Sequence, residues 1–460
     1  MNSLTSMLST LQSALQAQQG AINVTGQNVA NVNTPGYVKL NPILETQTGG
    51  NGVNLSDVQR QYNAFTFSQV LVQHGQLGAA NQRSTALTQA QSILAPQGGG
   101  DISDEMNSFT ASLQTLEANP SDPSARSAVL AQATALAQSF STTATGLAQT
   151  QTSLLTQAQG VATKVNQDLT QIAALNSQIS QAQGSPSGAS DLLDQRDTLV
   201  TDVADQTGAQ VVPNSDGSIT LFAAGGVLLS GNTPSSMAVS LDSSGALQIT
   251  VTQPGGSPTD VTSSVTDGAL GGIREARDTD IAQTATQLDQ LAYSFSNAVN
   301  TVQESGYGLD GVSGRPLFTP PTQVAGAAMN MAVDPSVAGQ PNNIGAAASA
   351  SDVPGGNDIA VQLAQIGQQS IGSGGTPAQW FGSIASQLGS ATAQASTDAS
   401  TRSDMVTQAE NLNSSSSGVS LNEEMTNLST FQQAFEAATR VLQVANQMLS
   451  DFMSTMSAAG

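Results

Sequence analysis

The stretch Gln27-Asn28-Val29-Ala30-Asn31-Val32-Asn33-Thr34-Pro35-Gly36-Tyr37 decides how the beginning of this chain is read. Upstream of it, Leu8, Leu15, Ile22 and Val29 recur every seven residues, and Leu4, Leu11 and Val32 occupy a companion seam interrupted by Gln18 and Thr25. That spacing predicts an amphipathic helix with a coiled-coil-like seam, starting at the first residue. A proline at 35 disfavours helical geometry at Thr34, and Pro35-Gly36 suits the two central positions of a type II turn. Asn31, Asn33 and Thr34 therefore read as the end of the helix, and Tyr37 as an anchor beyond it.

The other end repeats the pattern. Leu421, Leu428, Phe435, Leu442, Leu449 and Met456 lie seven apart, with Phe431, Ala438, Ala445 and Phe452 as a second seam. Upstream, Asn413, Ser414 to Ser417 and Gly418 read as a polar break, and Ser420 before Glu423 and Glu424 reads as a helix N-cap with a complemented dipole. A helix is predicted from about 420 almost to the end. Neither seam has a neighbour in sequence to cover it, so the two are expected to pair with each other and with copies from adjacent subunits.

Between them, residues from about 62 to 205 read as long Gln- and Ala-rich helices, broken at Pro96 to Gly100 and at Asn119 to Pro123. From about 207 the pattern changes to short β-branched runs separated by Asn214-Ser215-Asp216-Gly217 and Asp242-Ser243-Ser244-Gly245, which are hairpin loops. Helical periodicity resumes at Ile273. A Gly- and Pro-rich tract with few clear elements follows from Gly306 to about Gly356, then further helices. The fold class is mainly α with an inserted small β domain. Its expected division is 1–61 with 411–460 as a terminal coiled-coil domain, 62–206 with 269–410 as a helical bundle, and 207–268 as an independent β domain.

Composition narrows the function. The 460 residues carry a formal charge of -22 and only two lysines, Lys39 and Lys164, so no basic stripe is available to neutralise phosphates. Nucleic acid and anionic membrane are not expected partners. The first Lys or Arg is Lys39 and no long apolar run precedes it, so no cleaved signal peptide is expected. No run approaches the ~20 apolar residues of a membrane span.

Candidate chemistry is sparse. There is no cysteine and His74 is the only histidine, which leaves no thiolate nucleophile and no His-based triad. His74 reads as a helix-surface or interface residue. Asp191, Asp194 and Asp197, with Arg196 among them, read as a salt-bridged face and not as a metal site. Gly98 to Gly100 reads as a loop, and Asp267 to Gly272 ("DGALGG") as the exit turn of the β domain. No catalytic, cofactor-binding or metal-binding residue is assigned.

With these residues laid out, "ANVNTPGY" (Ala30 to Tyr37) resembles the N-terminal motif of the bacterial flagellar rod, hook and hook-associated axial proteins. The segment from Ser417 to Met453 is similar to the C-terminal segment those proteins pair with it. Met106 to Phe140, Ile172 to Ile179, Asp191 to Ala204 and Gly268 to Asn300 look like the members that join hook to filament. The resemblance implies an extracellular structural subunit, exported by the flagellar type III route and assembled into a ring or short helical stack. It further implies contacts with the hook protein, a second hook-filament junction protein and, transiently, the filament cap, and a cytosolic export chaperone. The residues implied to carry assembly are Leu4, Leu8, Leu11, Leu15, Ile22 and Val29 at one end and Leu421, Leu428, Phe431, Phe435, Leu442, Leu449 and Phe452 at the other, with Asn31, Asn33, Thr34, Pro35, Gly36 and Tyr37 as the motif turn. A hook or rod subunit would share both ends but lack the "NPSDPSAR" region. A non-flagellar secreted coiled-coil adhesin would share the composition but not the paired motifs.

Overall fold

Alanine, leucine and valine at helical spacing make the longest elements of this protein. A computed structural model describes residues 2–34, 36–47, 52–96, 99–182, 189–372 and 374–459. Pro35 and the Leu4 side chain, both expected to contribute to assembly, lie outside the described residues, as do Gly98, Gly184 to Gly188 and the Met456 side chain.

Helix α1 (Asn2–Ala30) is followed by an antiparallel hairpin of β1 (Leu40–Thr46) and β2 (Val53–Arg60). The hairpin is absent from the sequence reading, because Pro42 and a register shift between Ile43 and Leu44 break its alternation. The bundle then runs through α2 (Ala64–Leu94), α3 (Ile102–Ala118), α4 (Pro123–Ala182) and α5 (Ser190–Thr207). Helix starts follow local capping chemistry: the Asn63 side chain accepts from Phe65 N and Thr66 N, and Asp101 accepts from Asp104 N. At 60 residues α4 is about 90 Å long and serves as the spine.

Two antiparallel sheets follow. One has the order β3 (Gln210–Pro213), β4 (Ile219–Ala223), β5 (Gly226–Ser230), β6 (Thr233–Pro234); the other has β7 (Ser236–Leu241), β8 (Leu247–Thr252), β9 (Thr259–Asp260). Both lie along the spine. The Asn166 amide on α4 bonds both Met237 O and Met237 N at 2.8 Å, and the Asn176 amide donates to Gly231 O at 2.6 Å. Buried strand residues such as Leu221, Leu229 and Ile249 belong to the same continuous core as Val165, Leu169 and Ile172 of α4. The strands therefore pack as part of the helical core, where the sequence reading has them independent of it.

The return path is α6 (Gly268–Arg274), a π-helical turn at Glu275–Ile281, and α7 (Ala282–Ser305). "DGALGG" is thus the first turn of a helix and not an exit loop. Gly272 is needed there, since a Cβ would lie 2.0 Å from the Ala79 carbonyl oxygen of α2. The tract from 306 to 356 holds short antiparallel bridges at Tyr307–Ala347 and Phe318–Val333. Its order comes from the bundle: the buried Asn300 side chain accepts from Leu317 N and Phe318 N and donates to Phe318 O. The Phe318 ring lies 6.0 Å from the rings of both Phe109 and Phe295.

Helix α8 (Asp358–Ile366) leads to α9 (Pro377–Ser417), which packs along α2, and then to α10 (Leu421–Ala459). Thr66 bonds Asn413 and His74 faces Glu410, so the α2 and α9 chains run in opposite directions. Asn413 to Ser417, expected as a polar break, are helical to the last residue; the interruption is confined to Gly418, Val419 and Ser420. Serines bonding back to the carbonyls of their own helix account for this, as Ser415 does to Leu412 O and Ser416 to Asn413 O.

Candidate assembly interface

Helices α1 and α10 pack along each other. The face of α1 that is fully covered is Ala17, Ala21, Val24, Thr25 and Asn28. Leu8, Leu11, Leu15, Ile22 and Val29 flank that face and are half-buried. Small residues hold the centre because they let a partner backbone approach, while the larger aliphatics close over its edges.

On α10 the expected seam divides. Leu428, Phe431, Phe435 and Leu442 are half-buried and Ala445 is 1% exposed, so this face meets α1. Leu421, Leu449 and Phe452 are exposed in the single chain. A second apolar face, not singled out by the heptad reading, points away from α1: Val444 is 60% exposed and Met448 58%, with Val441 also open, while the exposed Met425 and Met453 stand on other sides of the helix. A helix that is apolar on two sides and partnered on one has a face left over for another molecule.

The motif turn explains how the two ends are joined. The Thr34 carbonyl accepts from Tyr37 N at 3.2 Å and Gly36 has φ +79, the geometry a type II turn asks of its third position. Asn31 caps the end of α1, donating to Gln27 O at 3.1 Å and accepting from the Thr34 hydroxyl at 3.1 Å; Asn33 is exposed. The turn delivers the Tyr37 hydroxyl to Asn28 Oδ1 at 2.9 Å. Asn28, fully buried, then uses its whole amide: Oδ1 also accepts from Leu40 N at 3.0 Å, and Nδ2 donates to Leu40 O at 2.8 Å and to Glu424 Oε2 at 2.9 Å. One side chain thereby ties α1, the motif turn, β1 and the first turn of α10.

Lys39 completes this hub. Its ammonium lies 2.7 Å from Glu423 Oε1 and 3.3 Å from Glu424 Oε1, and its backbone N–H donates to Ser417 O. Burial pulls the lysine pKa down, but the hydrogen bonds and charges of the two glutamates outweigh it and the net shift is upward. The Tyr37 hydroxyl is pushed up to about 12, chiefly by burial and then by the charges of Asp194, Asp191 and Glu424. A buried proton donor between carboxylates keeps its proton.

The sequence reading misses Asn28, Lys39 and Glu424 as a group. One signal was present: Lys39 is one of two lysines and stands two residues past the motif. The acidic face of α5 also has a partner. Arg60, at the end of β2, donates from Nε to Asp194 Oδ1 at 2.8 Å and from Nη2 to Asp197 Oδ2 at 2.8 Å, with a further contact from Nη2 to Asp194. Arg196 turns inward instead, donating to Gly217 O at 2.7 Å in the first hairpin loop. Among the described residues no helix is long and apolar enough to cross a membrane, and no group of acidic or histidine side chains is arranged to hold a metal.

Comparison with known proteins agrees with the motif at each end and with the interior. Residues 8–37 match the family of flagella basal body rod proteins, and residues 412–456 match the C-terminal family of the flagellar basal body rod FlgEFG proteins. Residues 87–318, half of the chain, match the helical domain of the flagellar hook-associated protein FlgK. Flagellar hook-associated protein 1 of Salmonella typhimurium is 32% identical over 330 residues, which cover 69% of this chain and 60% of that protein. The chain thus spans under two thirds of that relative's length. Flagellar hook-associated protein 1 of Escherichia coli is 27% identical over 96% of this chain and 98% of its own. The flagellar hook junction protein FlgK from Burkholderia pseudomallei has a solved structure that superposes with a TM-score of 0.50 at 30% identity, over 55% of this chain and 46% of that one. A paired-helix terminal unit with the rod-type motif at both ends, around a helical region of this type, places the chain in the FlgK family of flagellar hook-associated proteins.

Proposed function

We propose that this protein is a structural subunit of the bacterial flagellum that joins hook to filament, assembling with copies of itself through α1 and α10. The observation that carries this reading is the second face of α10, where Val444 and Met448 remain more than half exposed and Val441 is open although α1 already covers another side. Burying that face against neighbouring subunits removes apolar surface worth about 25 cal/mol per Å² from water, repeated at every subunit. The similarity to hook-associated proteins supports a location at the distal end of the hook, outside the cell. Neighbours in this reading are the hook protein, the second junction protein and, transiently, the filament cap. Export by the type III route, and a chaperone that covers the outer face of α10 beforehand, complete the proposal.

An in-frame deletion strain tests it. Hooks without filaments, with flagellin shed into the medium and full rescue by the wild-type gene, are expected. Normal filaments on the hooks of the deletion strain would refute the junction role.

A further inference from the structure

The terminal unit and the bundle do not share a core. Val24, Leu40 and Val58, with Tyr37 and Leu55 against them, form a small cluster separate from the continuous core of the bundle. Among the described residues, none of α1, β1, β2 and α10 packs along a bundle element. The two parts meet first where the chain crosses between them. There Gln61 Nε2 donates to Ser416 O at 3.0 Å and Lys39 N donates to Ser417 O at 2.9 Å, so both crossings lie side by side at the ends of α2 and α9. Two adjacent crossings define a hinge line and leave the angle about it free.

The third point of attachment lies on a different helix, α5. Arg60 reaches Asp194 and Asp197 there with its side chain only 8% exposed, and its guanidinium is stacked 5.5 Å from the centre of the Tyr62 ring. The motif turn touches the same surface, since a Cβ on Gly36 would lie 3.2 Å from Thr198 Oγ1. Arg196, the other cation nearby, is spent on Gly217 O and Asn176 and lies 3.9 Å from Asp197. Among the described residues Arg60 is thus the one cation that bonds both of these neighbouring, largely buried carboxylates, with the Val38 N–H as a further donor to Asp194. Removing one partner of such a contact leaves uncompensated charge, which drives the surfaces apart.

We infer that Arg60, Asp194 and Asp197 form an electrostatic latch that sets the angle between the terminal helices and the bundle, and so positions α1 and α10 for assembly. The positioning half rests on the assembly role proposed above; the latch itself does not. A planar guanidinium bonding two carboxylates fixes an angle in a way a lysine cannot.

The chain has no cysteine, so labels can be placed at will. Spin labels on Gln12→Cys in α1 and Ser153→Cys in α4, both exposed positions, report the angle in the full-length monomer. One narrow distance population is expected for the parent chain. Arg60→Met should at least double its width while far-UV circular dichroism stays unchanged, and the charge swap Arg60→Asp with Asp194→Arg should narrow it again. An unchanged width in Arg60→Met overturns the latch. In the deletion strain, Arg60→Met should reduce filament-bearing hooks at least tenfold and the swap should restore them. Broadened distances with normal filaments would sink the positioning role alone. Should the deletion strain keep its filaments, the proposed function falls and the distance measurement still decides the latch.

Discussion

Asn28 on α1 and Glu424 at the start of α10 hold each other at 2.9 Å across 396 positions of sequence, with both side chains buried. Because the same amide also fixes Tyr37 and Leu40, the register of the two terminal helices is set by one polar residue within an apolar face. A buried amide of this kind specifies one alignment among the several that an aliphatic seam tolerates.

Asn28→Leu keeps the volume and removes the bonds. Each buried group left unpaired costs roughly 1–3 kcal/mol, and Leu40, Tyr37 and Glu424 all lose a partner. Hydrogen exchange in α1 and α10 should accelerate at least tenfold while amides of α4 are unaffected. Equal protection of the terminal helices in the variant would show that apolar packing alone sets their register.

Alkaline pH should release the terminal unit before the bundle. The folded Tyr37 pKa of about 12 lies above its ordinary value of 10.0, so the folded state holds a proton the unfolded chain gives up. That contribution is fully present below pH 10 and is lost as pH climbs toward 12. The raised Lys39 pKa acts in the same sense, with stability present below the ordinary lysine value and lost above it. Proteolytic susceptibility of residues 420–459 measured across this range should rise; Tyr37→Phe should flatten the tyrosine part of the rise and leave the lysine part. A flat profile in the parent chain contradicts the hub.

The two faces of α10 should separate folding from assembly. Leu442 is half-buried on the α1 side, and Leu442→Asp should destabilise the terminal pairing by about 1–3 kcal/mol, less than the loss at a fully buried leucine. Val444, 60% exposed, should accept Asp without a change in melting of the monomer but with loss of filament attachment. Gln443→Asp, exposed between the faces, is the control. If Val444→Asp cells swim normally, the outer face is not an interface.

Gly272→Ala should be poorly tolerated although alanine is the better helix former. The added methyl would sit 2.0 Å from Ala79 O, so α6 and α2 must move apart, at a cost of about 1–3 kcal/mol or more. A Tm equal to the parent's would mean that the contact relaxes without loss.

Asn166→Ala removes both bonds from the spine to Met237 and strands that backbone pair. A loss of roughly 1–3 kcal/mol per unpaired group is expected in one cooperative melt of helices and strands together. Two separate transitions would instead support strands that fold independently of the bundle.

The features legible in the sequence are those that local chemistry controls. Heptad spacing marks α1 and α10, the Pro-Gly pair marks the turn before Tyr37, and Pro120 and Pro123 mark the end of α3 and the start of α4, because periodicity and dihedral preference act within a few residues. Tertiary structure alone decided which of two apolar faces of α10 is covered, since both satisfy a helical period and only the approach of Ala17 and Ala21 chooses between them. It also decided that Asn28, to which the sequence assigns no role, is a hub, and that Arg60 answers the carboxylates of α5 134 and 137 positions away. Hydrogen bonds and ion pairs act over about 3 Å in space with no regard to distance along the chain, so no pattern in sequence records them.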